Sequence, residues 1–278
     1  MNLKIGDTFE KGINWLTDNF EGFFDGINQG VGTLIDTLET TFTGTNPWVL
    51  IGILVVLAWY LKGWKHFHYP IMTLIGFAVI VGMGLWEATV QTLALVLVAT
   101  FIALLIGIPV GIFAGRSEKG ETVIRPILDF MQTMPAFVYL IPAVLFFELG
   151  KVPGAMATVI FAMPPAVRLT SLGLRQVPEE VMEAAVSFGS TTTQQLVKVQ
   201  LPSALPSILA GINQTIMLSL SMVVIAAMIG AGGLGKQVLF GITQLKIGLG
   251  FEAGLSVVIL AIYLDRVTQA MGEKWGNR

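Results

Sequence analysis

Seven long apolar runs constrain this chain more than any other feature. They lie at about 47–61, 70–86, 88–115, 130–149, 153–167, 206–230 and 251–264. A perpendicular membrane span needs roughly 20 apolar residues, with about 17 as a lower limit. In lipid, a helix satisfies its own backbone polar groups. The expected fold is therefore all-α, a polytopic membrane helix bundle of about seven spans. Only 12% of the 278 residues are charged, against about a quarter in a typical soluble domain. The first, fifth and seventh runs are short, so their ends should include flanking polar residues. Pro153, Pro164 and Pro165 could make the fifth a broken helix, and Met134-Pro135 and Ile141-Pro142 suggest kinks in the fourth.

The basic residues orient these spans. With the N-terminus outside and the C-terminus in the cytoplasm, Lys62, Lys65, Arg116, Lys119, Arg125, Arg168, Arg175, Lys198, Arg266, Lys274 and Arg278 fall inside. Lys4, Lys11, Lys151, Lys236 and Lys246 fall outside, an eleven-to-five bias of the expected sign. A net charge of −2 suggests no nucleic-acid partner. The absence of cysteine excludes disulfides, thiolate metal sites and a cysteine nucleophile. The two histidines, His66 and His68, sit in a short link with no third ligand, so no metal site is expected. No secretory signal peptide is visible at the N-terminus, and no catalytic constellation emerges.

Residues 1–45 read as an amphipathic segment. Phe9, Ile13, Leu16, Phe20, Phe23, Ile27, Val31, Leu34 and Leu38 recur at helical spacing, opposite Asp7, Glu10, Asp18, Glu21, Asp25, Asp36 and Glu39. Gly12, Gly22, Gly26 and Gly30 each weaken an isolated helix by up to ~1 kcal/mol, so the segment needs a surface, either the membrane face or the bundle. Residues 46–87 then hold two accessory spans, residues 88–268 a core, and 269–278 a tail.

The longest polar stretch between spans, about 170–205, has its own logic. Pro178 suits a first helical turn, and Glu179, Glu180 and Glu183 complement the helix N-terminus. Val181, Met182, Ala185 and Phe188 give a short apolar face. Gly189 can stop the helix at positive φ. Thr191 with Gln194 reads as a capping box opening a second short helix, which Pro202 should end. The pattern is helix, bend, helix, and it suits either a partner surface or an ordinary helical hairpin between spans.

Other motifs carry less. Residues 230–236, GAGGLGK, nearly match two nucleotide-binding patterns, but Gln237 stands where a magnesium-ligating Ser or Thr belongs and no strand precedes; a turn or re-entrant loop is expected. Gly107, Gly111 and Gly115 repeat every four residues, as in close-packed membrane helices. Gln91, Thr92, Gln132, Thr133, Asn213, Gln214, Ser219 and Ser221 place uncharged polar groups within spans, either along a solute path or as interhelical hydrogen bonds. No Asp, Glu, Lys or Arg lies deep in an apolar run, which argues against an ion-coupled secondary transporter.

Glu183-Ala184-Ala185, Gly189 three residues later and Val199-Gln200-Leu201-Pro202 nine further on resemble the loop EAA-x3-G-x9-I-x-L-P of ABC-importer permeases, with Val199 in the usual Ile place. The strings at 128–144, 159–178 and 210–235, and GFFDGIN at 22–28, are similar to permeases of bacterial glycine betaine/proline betaine importers. The resemblance implies a type I ABC importer permease and a non-enzymatic subunit of an osmoprotective uptake system. It also implies that Glu183, Ala184, Ala185, Gly189, Leu201 and Pro202 couple to an ATPase subunit, which binds ATP and magnesium; this chain itself needs no cofactor. The remaining implied partners are an extracellular substrate-binding protein, a second copy of the chain and the lipid bilayer. A choline or carnitine substrate is the neighbouring alternative. Gln91, Gln132, Asn213 and Gln214 are the residue-level candidates for the translocation path.

Overall fold

A computed structural model describes residues 5–63 and 67–276. Lys4, Lys65, His66 and Arg278 lie outside the described residues. Helices α1 (Ile5–Asn19) and α2 (Glu21–Gly44) form the amphipathic start. They rest on the bundle through Ile13, Val31 and Ile35, all buried. The Phe24 ring stacks on Phe146 at 4.4 Å between centroids, and Lys151 Nζ pairs with Asp36 at 3.0 Å and Glu39 at 2.7 Å. The helical repeat identifies the packed face in part: Ile13 and Val31 are buried, and Ile27 and Leu38 pack against the core. Leu34, Phe20 and Phe23 are exposed, whereas the neighbouring Ile35 is only 1% exposed. Apolar residues occupy more than one face of α2, and contact with the bundle selects between them.

Asn46 accepts a hydrogen bond from Trp48 N at 3.0 Å, and Pro47 opens α3 (Pro47–Lys62). The pair α2–α3 is bent by 108°. Helix α3 and helix α4 (His68–Gly82) are 16 and 15 residues long, short of the roughly 20 that cross a bilayer upright. Four helical stretches among the described residues are long and apolar enough to cross: α5 (Trp86–Arg116); the stretch formed by α8 (Lys151–Ala162) and α9 (Pro164–Arg175); residues 192–229; and α14 (Ile247–Gly276). The fifth apolar run is thus interrupted only at Met163. Pro164 and Pro165 sit in the first turn of α9, where a missing N–H is tolerated.

The fourth run is broken. Helix α6 (Glu118–Thr133) ends before Met134, which is extended (φ −73°, ψ 134°) as the residue preceding a proline must be. A 3₁₀ turn at 136–139 leads into α7 (Leu140–Phe147), and the two arms are bent by 108°. Pro142 makes no second kink, because it falls within the first turn of α7.

The core centres on α5, whose Ala94, Ala99 and Ala103 are fully buried. The glycine stripe faces α9. A Cβ on Gly107 would meet Ala166 and Met163 at 3.1–3.2 Å, and one on Gly111 would meet Thr170 Cβ and Val167 O at 2.7 Å. The stripe serves backbone approach, as small residues do between membrane helices. At the far end, Gly230, Gly232 and Gly233 turn the chain with positive φ into a short helix, α13 (Gly233–Thr243), before α14. The GAGGLGK stretch is a turn and a helix start.

Candidate coupling surface and pathway residues

Helix α10 (Glu179–Ser187) begins after Pro178, which is its cap (φ −56°, ψ 139°) rather than its first helical residue. None of its residues is buried. At its end, Gly189 N donates to Val186 O at 2.8 Å and Ser190 N to Ala185 O at 3.1 Å. This closure satisfies carbonyls that a helix terminus leaves open. It requires Gly189 at φ +75°, where a Cβ would meet nothing within 4 Å. The expected capping box follows: Thr191 N donates to Gln194 Oε1 at 2.9 Å, and Gln194 N to Thr191 Oγ1 at 3.3 Å. It opens α11 (Thr192–Gln195).

Pro202 does not end this second helix. A π turn at Leu196–Gln200, in which Leu201 N donates to Leu196 O, carries the chain directly into α12 (Leu201–Ala226). The wider turn accommodates a residue lacking an N–H, so Pro202 sits at the start of a span. Leu201 packs on the buried cluster of Leu174, Ala204 and Ile208. It anchors the loop to the bundle, while Glu183, Ala184, Gly189 and Pro202 are exposed and Ala185 is half-buried. The large exposed apolar residues of this loop are Val181, Val186, Phe188 (91% exposed) and Val197. Met182, expected on the apolar face, turns partly inward. Val186, on α10 itself, and Val197, in the π turn, are exposed apolar residues outside the expected face.

Ion pairs gather at this end of the bundle. Arg175 pairs with Glu121 at 2.8 Å, Arg168 with Asp129, and Lys62 with Glu273 at 2.6 Å.

The four pathway candidates divide two and two. Gln91 Oε1 accepts from Gly233 N at 3.1 Å, beside Thr92 Oγ1, which accepts from Leu234 N at 2.8 Å. Both cap the N-terminus of α13. Asn213 Nδ2 donates to Asp265 at 2.9 Å, tying α12 to α14. Ser219, fully buried, accepts from Thr100 at 3.1 Å. By contrast, Gln132 and Gln214 are exposed.

From the last third of α5 to the last turns of α14, residues 107–274 match the family described as "Binding-protein-dependent transport system inner membrane component". The chain belongs to that family. The match encloses the whole α9–α12 connection and leaves α1 to α4 outside it. The chain is 50% identical over 277 residues to the "Glycine betaine transport system permease protein OpuAB" of Bacillus subtilis, covering 99% of this chain and 97% of that one. It is 47% identical over 268 residues to the "Glycine betaine/proline betaine transport system permease protein ProW" of Escherichia coli, covering 96% and 75%. In three dimensions it is similar to a chain of the inward-facing "MetNI methionine ABC transporter", with a TM-score of 0.61 at 23% identity over 66% of this chain and 92% of that chain. This likeness supports the fold. This inner membrane component is a multi-pass membrane protein and a transport subunit rather than an enzyme.

Proposed function

We propose that this chain is the permease subunit of an ATP-driven importer for glycine betaine and related quaternary ammonium solutes, serving osmoprotection. The observation that carries the reading is the exposed helix–bend–helix at 179–200, anchored by Leu201 yet burying nothing of α10, in a chain related over nearly its full length to glycine betaine permeases. The relationship to permeases named for choline and carnitine is more remote, at 30% and 29% identity over about two thirds of the chain.

In this reading an ATPase subunit, which binds ATP and magnesium, docks on Val181, Val186, Phe188 and the Glu183-Ala184-Ala185 corner. A substrate-binding protein delivers solute to the opposite face. Two copies related by a twofold axis enclose the pore, and Gln132 and Gln214 offer hydrogen bonds along the path. The test is reconstitution with the ATPase and binding protein in proteoliposomes. Uptake of labelled glycine betaine should require ATP and survive collapse of ion gradients. Uptake that persists without ATP and stops with an ionophore would make the chain a secondary transporter.

The orientation follows from the basic bias, with 179–200 in the cytoplasm beside the ATPase. A cysteine at Ser117 should then react only with label on the cytoplasmic side and one at Thr243 only with label outside. The opposite pattern would invert the topology.

A further inference from the structure

Helix α10 buries no residue, so any displacement imposed on it must leave through its flanks. On one side only Gln176, Val177 and Pro178 separate it from Arg175, the last residue of α9. Pro178, whose ring restricts φ, stiffens that link. Arg175 Nη2 donates to Ala114 O at 2.8 Å and Ser117 O at 3.3 Å, and pairs with Glu121 Oε2 at 2.8 Å. Ala114 lies in the last turn of α5 and Ser117 is its C-cap. Carbonyls at a helix end lack intrahelical partners and carry its negative pole, which favours a cation. Ser117 is also the N-cap of α6, its Oγ accepting from Gly120 N at 3.1 Å, and Glu121 lies in the first turn of α6. One guanidinium thus holds the end of one helix and the beginning of the next.

We propose that Arg175 is the positioning residue that carries movement of a docked α10 into the α5–α6 turn, and so links ATP hydrolysis in the partner to solute movement; this rests on the docking reading above. The glycine stripe keeps α9 against α5, so α9 moves as a packed unit rather than flexing away. The Arg168–Asp129 pair ties α9 to α6 a second time, nearer the far end of α6. Helix α6 ends at the Met134–Pro135 break, where it meets the α7 arm at 108°. A lysine would keep the charge of Arg175 but not the planar, pre-organised fork.

The experiment compares Arg175→Met, Arg175→Lys and Glu121→Gln in the complete complex with its ATPase and binding protein, reading ATPase co-purification, ATP hydrolysis and solute taken up per ATP. Arg175→Met should co-purify the ATPase normally but lose about tenfold in uptake per ATP, the scale of a lost charge-assisted contact. Arg175→Lys, which keeps the charge without the fork, should recover only part of that loss, and Glu121→Gln should lose about threefold. Wild-type uptake per ATP in Arg175→Met would overturn the proposal, as would a lysine variant no better than methionine. Should Arg175→Met fail to reach the membrane, unchanged uptake per ATP in Glu121→Gln overturns it instead. Loss of ATPase co-purification in Arg175→Met would also overturn it, by moving the fault to docking. If the docking reading itself fails, disruption of the α10 surface leaves uptake intact, a separate result.

Discussion

Gly189→Val should reach the membrane at normal levels and transport poorly. Gly189 sits at φ +75° with open space where a Cβ would project, so the substitution meets no clash. Its cost is conformational: roughly 1–2 kcal/mol for an L-residue held in the left-handed region, and β-branching makes that conformation worse. The chain relieves this strain by opening the turn, which breaks the bonds from Gly189 N to Val186 O and from Ser190 N to Ala185 O. The angle between α10 and α11 then changes, and the exposed apolar residues of the two segments shift relative to one another. The apolar spans are untouched. Co-purification of the ATPase and uptake should both fall, by about tenfold if some 1.4 kcal/mol of docking free energy is lost. Ala184→Asp should act similarly by placing an unpaired charge in the docked interface. Ala184 is the cleaner site, because it is exposed and Ala185 is half-buried within the loop. Normal uptake and co-purification in both variants would remove the docking role from this loop.

Gly111→Leu should destabilise the bundle itself. A Cβ at this position lies 2.7 Å from both Thr170 Cβ and Val167 O. The second contact is backbone, so no side-chain rotation relieves it, and α5 and α9 must move apart. Overpacking of this kind typically costs about 1–3 kcal/mol, and here the close approach runs on through Gly107 and Gly115. The detergent-solubilised protein should lose several degrees of thermal stability and accumulate poorly. Gly52→Ala in α3 is the control, since nothing lies within 4 Å of its added Cβ. Removing a mid-helix glycine there should be neutral or stabilising by up to ~1 kcal/mol. Equal thermal stability of the two variants would contradict the packing role of the stripe.

Much of this protein is legible locally. The apolar runs, the near-absence of charge within them and the bilayer's demand for internally satisfied backbone leave a helical membrane bundle as the outcome. Gly189, Thr191 and Gln194 spell out the bend at 189–194, because a positive-φ stop and a capping box depend on residues a few positions apart. The glycine stripe likewise announces a close helix contact, though not that α9 is the partner. The prolines show where local reading ends. Pro135 breaks its run by 108°, Pro142 does nothing, and Pro202 lies within a continuous helical stretch across a π turn. The ring chemistry is the same at each. What differs is whether the missing N–H falls in a first turn, and whether surrounding helices hold an altered turn in place. The same holds for side chains. Ile35 rather than Leu34 is buried, Gln91 caps a helix 142 residues away, and Asn213 is committed to Asp265. Those outcomes depend on which distant segment comes to lie alongside, and tertiary packing alone decides it, because spacing along the chain encodes a helix's faces but not the neighbours they meet.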